Sequence, residues 1–221
     1  MKRASANRDH APHASARDRI LNAAFTVLCE RGYGATNTRE IAARAQVSKR
    51  ELYTEFGNKQ GIFAALIASR ASRMWQPVDG ASVASAAAFE ETLGRLGRAQ
   101  LDQLTDPTTV AVFRLAIAAV EEAPEVARTL DRKAREPNRV AIVELMTKAR
   151  AAGRIDGDPE LMAQHFFSLV IGNILVTHLL GLAERPKERE LQRRVEAAVS
   201  AFLQLYVPAR ERGTRRRPLA K

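Results

Sequence analysis

The chain of 221 residues carries one cysteine, one tryptophan and three tyrosines. With Cys29 alone, an intrachain disulfide is excluded, and a reducing cytoplasm is the expected compartment. Aromatic residues make up 5% of the chain, and no segment alternates apolar and polar residues as a half-buried strand does, so a sheet is not expected. No unit repeats at a fixed period. The sequence has no GxSxG, no HExxH, no phosphate-binding GxxxxGK[ST] and no GxGxxG that opens a helix after a strand. Nothing therefore assembles a nucleophile, a base and an oxyanion site, and neither an enzyme nor a cofactor is expected. His165 and His178 lack metal-ligand spacing and no cysteine cluster accompanies them, so no metal is expected. Residues 1–16 lack the apolar core of a secretory signal. The longest apolar stretch, "LMAQHFFSLVIGNILVTHLLGL", is interrupted by Gln164, His165, Asn173 and His178. A spanning helix needs ~20 predominantly apolar residues, so a buried helix is expected and no membrane partner.

Charge is abundant, and its placement is uneven. The net charge is +10. Residues 1–60 hold eleven Lys/Arg against six Asp/Glu, residues 208–221 hold six against one, and residues 61–207 hold eighteen of each. Two basic ends on a neutral middle point to a polyanionic partner for one end of the molecule.

Alanine and leucine dominate the rest, which favours helix. Residues 1–14 are polar and without period, and are expected to form a disordered basic arm. Ile20, Ala23, Ala24, Val27 and Leu28 then recur at helical spacing, and Gly32 should end that helix. Cys29 falls on its apolar face and is expected to pack there. Two short helices follow, about Thr38–Ala45 and Lys49–Phe56, separated by a tight turn. Asn37 with Glu40, and Ser48 with Glu51, both have the form of a capping box. Helices this short need tertiary packing, which Ile41, Ala42, Ala45, Val47, Leu52 and Phe56 supply. A longer helix opens at Asn58 and ends by Pro77 and Gly80. Further helices are expected over about 82–104, 107–122, 124–152 (broken or kinked at Pro137), 158–183 and 187–206. The chain reads as all-α, about nine helices, with residues 15–60 as a basic helical head, 61–207 as a larger helical body and 208–221 as a flexible basic tail.

Two short helices joined by a tight turn, preceded by a helix and set in a basic module, fit a helix-turn-helix, whose second helix enters the DNA major groove. Leu52 and Phe56, four residues apart, face inward. Lys49, Arg50, Tyr53 and Thr54 occupy the other faces, where cations release counterions and hydroxyls bond phosphate oxygens. A structural hairpin with a solvated charged face has the same pattern.

The stretch "ILNAAFTVLCERGYGATNTREIAARAQVSKRELYTEFGNKQGIFAALI" resembles the amino-terminal DNA-binding domain of TetR/AcrR-family repressors over roughly residues 17–68. The "GYGAT" turn, "IAARAQVS", "LYTEF" and the lysine three residues after that phenylalanine carry the likeness. More loosely, "VFRLAIAAVEEAPEVARTL" and "DPELMAQHFFSLVIGNIL" resemble the carboxyl-terminal domain of the AefR-like subgroup. The resemblance implies DNA contacts at Thr38, Arg39, Ser48, Lys49, Arg50, Tyr53 and Thr54, and a phosphate-binding Lys59 at a helix amino terminus. Two departures stand out. Gln46 occupies a turn position that is often glycine. "RELYTEF" replaces the common "GTLYxHF", placing Glu51 and Glu55 in a helix expected to face DNA. Glu51 has two readings, a cap for the helix start or an acceptor for cytosine N4. Glu55 is expected to pair with Lys59 or Arg50, holding those side chains in place.

The resemblance also implies a cytoplasmic homodimer that binds a palindromic double-stranded DNA operator and releases it when a small effector binds, with repression as the expected outcome. The last two long helices are the expected dimer element, with Phe166, Val170, Phe202 and Leu203 as interface candidates. Trp75, Phe89, Phe113, Ile117, Met146, Asn173 and His178 are the candidates for an effector pocket. Such a pocket would be mainly apolar and suit hydrophobic or aromatic ligands. Asn173 and His178 stand out because polar groups in an apolar helix require partners. A non-specific, nucleoid-type nucleic-acid binder is the alternative function.

Overall fold

The fold comes from a computed structural model that describes residues 15–74 and 81–208, with the side chains of 72–74 left aside. The arm expected at 1–14, Trp75 and residues 209–221 of the expected tail lie outside the described residues. The chain divides into two compact units at Leu66/Ile67. Among the described residues there is no strand, and no helix is long and apolar enough to cross a membrane.

The first unit holds α1 (Ala16–Ala35), α2 (Thr38–Ala45), α3 (Lys49–Phe56) and the start of α4 (Lys59–Met74). Ser15 caps α1 by accepting from the Asp18 N–H at 3.1 Å. Gly32, at φ 74° and ψ 172°, breaks the helix where the sequence places its stop, and one more turn carries on to Ala35. The apolar stripe of α1 (Ile20, Ala24, Val27), Ile41 of α2 and Leu52 of α3 are all at 1% exposure or less, with α1 packed on α2 and α2 on α3. Burying a side chain of this size contributes about 1.5–3 kcal/mol, which two eight-residue helices cannot gain alone. Cys29 departs from expectation: it is exposed on α1, because the stripe ends at Leu28 and the next helical position turns outward.

The second unit comprises the rest of α4, α5 (Ala86–Leu104), α6 (Pro107–Ala118), α7 (Pro124–Leu130), α8 (Glu136–Ala151), α9 (Pro159–Ile171), α10 (Ile174–Leu179) and α11 (Glu188–Tyr206). Ser85, Asp106 and Asp158 cap α5, α6 and α9 with side-chain oxygens. Its core brings α5, α8, α9 and α11 together, with Phe166 edge-on to Phe202 at 5.4 Å.

Two long helices expected from the sequence are divided. Between α7 and α8 the backbone widens into a π turn over Asp131–Arg135, the Glu136 N–H reaching the Asp131 carbonyl. Pro137 follows immediately. Its ring has no N–H and collides with the carbonyl four residues back in a regular helix, and the wide turn resets the hydrogen-bond register ahead of it. The apolar 158–183 run breaks at Gly172, which adopts φ 48° and ψ −125°, a conformation glycine reaches without Cβ strain. Arg194 of α11 seals the break, donating Nε to the Val170 carbonyl and Nη2 to the Ile171 carbonyl, both at 2.6 Å. Arg114 of α6 does the same for the end of α10, donating to the carbonyls of His178 (2.7 Å) and Leu179 (2.9 Å).

Candidate nucleic-acid interface and ligand cavity

The α2–α3 pair is built by its caps. Asn37 accepts from the Arg39 N–H at 2.8 Å, but no reciprocal box forms, because the Glu40 carboxylate instead takes Arg44 at 2.8 Å. The α2 helix ends in a left-handed residue, Gln46 (φ 54°, ψ 47°), the only non-glycine with positive φ among the described residues. The Val47 N–H reaches the Ala42 carbonyl at 3.1 Å and the Gln46 N–H the Ala43 carbonyl at 3.2 Å, which is a Schellman closure. Arg19 Nε adds a bond to the Ala45 carbonyl at 3.1 Å. At α3 the box is complete: Ser48 Oγ accepts from the Glu51 N–H at 3.1 Å, and the Glu51 carboxylate accepts from the Ser48 N–H at 2.7 Å. Those hydrogen bonds hold the Glu51 carboxyl below its usual range. The cap therefore occupies Glu51 in this structure.

The other glutamates of the unit are matched to cations, while Asp18 accepts from the Ser15 hydroxyl at 2.7 Å. Arg44 takes Glu30 (2.6 and 2.9 Å) and Glu40, and that contact lowers the Glu30 carboxyl. Glu55 pairs neither with Lys59 nor with Arg50. It accepts from Arg17 at 2.6 Å, a residue at the start of α1, whose guanidinium also lies 5.0 Å from the centre of the Phe56 ring. The partner is 38 positions away in sequence and only the packing of α1 on α3 brings it there. Among the described residues, the guanidiniums of Arg39 and Arg50 have no carboxylate partner, and both side chains are exposed. Lys49 is also exposed and rests 5.7 Å from the Tyr53 ring centre. Two helix starts thus carry three cations whose charge no glutamate cancels.

The other predicted contacts divide. Thr54 and Ser48 are exposed, whereas Thr38 is 9% exposed and its hydroxyl bonds Tyr53 Oη at 3.0 Å, tying the start of α2 to the middle of α3. Lys59 turns inward. Its ammonium donates to the Tyr33 carbonyl at 2.9 Å and approaches that of Gly34 at 3.4 Å, and it lies 4.7 Å from the Tyr33 ring centre. It clips the carbonyl end of α1, the end where a cation is favoured. Sequence reading missed Arg17, and only its basic type marked it.

A cavity of about 520 Å³ opens in the second unit between α5, α6, α8 and α9, a size that suits a small ligand. Leu104, Phe113, Ile142, Phe167 and Leu175 supply apolar wall. Gln100, Gln103, Asn138 and Gln164 also line it, so a mainly apolar wall carries four amide residues.

Residues 91–208 match the carboxyl-terminal domain of AefR-like transcriptional repressors, and residues 20–66 match the bacterial regulatory proteins of the tetR family. The chain belongs to the TetR family. It is a helix-turn-helix transcriptional regulator of the DNA-binding repressor kind. The HTH-type transcriptional regulator YvkB of Bacillus subtilis is 46% identical over 54 residues, which is 24% of this chain and 29% of that protein. The repressor KstR of Mycobacterium tuberculosis is 26% identical over 193 residues, covering 85% of this chain and 80% of its own length. Among solved structures, the flavonoid-responsive regulator FrrA superposes with a TM-score of 0.72 at 28% identity, covering 88% of this chain and 98% of its own.

In this TetR-family body the predicted ligand and interface residues fall at several separate places. Of the pocket candidates with described side chains, Phe113 lines the cavity; Phe89 and Met146 are fully enclosed core residues that do not reach it. Ile117 is 58% exposed on α6, and Asn173 is exposed at the α9–α10 break. His178 is buried and donates Nδ1–H to the Ile174 carbonyl at 2.7 Å, while Nε2 has no partner. Helical periodicity marked these side chains as apolar or inward without saying which cluster each joins. The four interface candidates, Phe166, Val170, Phe202 and Leu203, are at most 6% exposed within the single chain. They close the chain's own core, and any partner surface on these helices must use other faces.

Proposed function

We propose that the protein holds a palindromic operator as a homodimer in the cytoplasm, with α3 of each copy in a major groove, and releases it when a small molecule fills the cavity of the second unit. The observation that supports DNA reading best is the uncompensated trio Arg39, Lys49 and Arg50 at the starts of two capped helices. Thr38, Ser48, Tyr53 and Thr54 join them as hydroxyl contacts to phosphate, and Lys59 keeps one donor for the backbone. Each neutralised phosphate adds about 0.9 to the salt slope, so the trio contributes roughly 2.7 per copy. Half-sites about 34 Å apart require two copies. Outward-facing Leu161 on α9 and Leu205 on α11 give those helices an apolar surface for pairing. FrrA's name records a response to flavonoids, and an aromatic or hydrophobic effector suits the apolar wall of the cavity.

Footprinting the purified protein on genomic DNA tests the reading. A small set of protected inverted repeats is expected, lost on addition of an effector. Uniform, steeply salt-dependent protection without preferred sites would instead support a nucleoid-type binder.

A further inference from the structure

We propose that the cavity takes an uncharged, planar ligand bearing an N–H donor beside a carbonyl acceptor, as in a lactam, and that the Gln100–Asn138 amide pair recognises that edge. The proposal rests on the cavity being the effector site.

The rim decides the charge. Two guanidiniums line the cavity, and both are already matched. Arg135 donates to Asp131 at 2.9 Å, and Arg139 donates to Glu136 (2.8 and 3.0 Å) and to Glu160 (2.7 and 2.9 Å). An anionic ligand must compete with these carboxylates for arginine, and a cationic one with arginine for the carboxylates. The pairs are exposed to solvent, where a further charge contact contributes little against the hydration the ligand loses on entry.

The floor decides the polar edge. Gln100 is 5% exposed, and its Nε2 donates to Asn138 Oδ1 at 2.7 Å. Gln100 Oε1 and Asn138 Nδ2 have no hydrogen-bond partner among the described residues. Among the described residues only His178 Nε2 is both unpaired and wholly shut off, so these two atoms touch open space. For a residue as buried as Gln100, sitting in the cavity wall, that space is the cavity itself. The pair thus offers one acceptor and one donor. Exchanging oxygen and nitrogen in both amides reverses the order and still presents one of each. A lactam edge satisfies both at once, and a ligand without it leaves two polar atoms in a half-dry pocket unpaired. Phe113 and Phe167, with Ile142, provide apolar surface for a flat ring system.

The test uses the full chain and three tricyclic probes of nearly one shape: phenanthridin-6(5H)-one, its N-methyl derivative and phenanthridine-6-carboxylate. Calorimetry is expected to show the lactam binding about tenfold or more tighter than either other probe. The double variant Gln100→Met/Asn138→Leu removes both polar partners together and is expected to bind lactam and N-methyl lactam equally. If that variant does not fold, the isosteric Asn138→Asp substitutes a carboxylate for the donor and is expected to weaken lactam binding by a similar factor. No measurable lactam binding, a preference for the carboxylate, or an unchanged preference in the folded variants overturns the proposal. DNA release is scored separately by anisotropy. Selective lactam binding that leaves DNA bound refutes the effector reading but keeps the recognition edge, whereas release driven only by a charged compound does the reverse.

Discussion

Replacing Gln46 with glycine should stabilise the DNA-binding unit. Gln46 sits at φ 54° and ψ 47° between α2 and α3. That conformation costs a residue with a Cβ roughly 1–2 kcal/mol. Glycine avoids this cost but raises the entropy of the unfolded chain by about 0.5–1 kcal/mol. The Gln46 side chain is exposed, and both hydrogen bonds that close the turn come from backbone N–H groups, so neither is lost. The net gain is about 0.5–1 kcal/mol, which for a unit this small raises the melting temperature by roughly 2–8 °C. Circular-dichroism melts should show the shift. Hydrogen exchange should show slower opening at the Gln46 and Val47 amides. Gln46→Val provides the opposite perturbation, since a β-branched residue tolerates this region least, and should lower the melting temperature. Because the turn keeps its geometry, operator affinity should hold in the glycine variant. A glycine variant that melts at or below the parent temperature, beside a valine variant that melts normally, would refute the claim that this turn stores strain.

Three further outcomes follow from the same unit. Glu55→Ala removes an exposed ion pair worth only ~0.2–1 kcal/mol and uncovers Arg17, so stability should barely change. DNA affinity should rise, with a salt slope steeper by up to about 0.9; a fall in affinity would mean that Glu55 orients Arg17 for contact. Lys59→Met deletes the charged donor to the Tyr33 carbonyl and should cost about 1–3 kcal/mol in denaturant unfolding, whereas unchanged stability with weakened DNA binding would return Lys59 to a purely phosphate-binding role. Glu51 carries a lowered carboxyl pKa because it accepts from the Ser48 backbone N–H. Its contribution is therefore present above the unfolded carboxylate range and is lost as pH falls through the lower folded value. NMR titration should place the Glu51 midpoint below the ordinary range in the parent and nearer to it in Ser48→Pro, which deletes that N–H at a φ of −72° that proline accepts; equal midpoints would dismiss the cap as the cause.

Local chemistry was legible in the sequence. The bounds of α2 and α3 follow from Asn37, Ser48 and the short apolar period, because caps and periodicity act over three or four residues. Pro137 announced the disturbance between α7 and α8 for a similar reason. Gly172 was present in the apolar run too, but hydrophobicity on both sides masked the break that Arg194 stabilises from α11.

What spacing could not convey is which of several possible partners a side chain meets. Glu55 had Arg50 and Lys59 as neighbours in sequence and met Arg17 instead, once α1 lay across α3. Lys59 turned to the carbonyl end of α1 and Phe166 to Phe202 of the same chain, although each was also suited to an external partner. Gln100 and Asn138, ordinary polar residues 38 positions apart, became one recognition edge only when α5 and α8 closed around a space. Helix type, caps and the basic head are properties of neighbouring residues, and sequence alone determines them. Partner choice and the shape of empty space depend on how helices distant in sequence pack, and only the tertiary structure decided those.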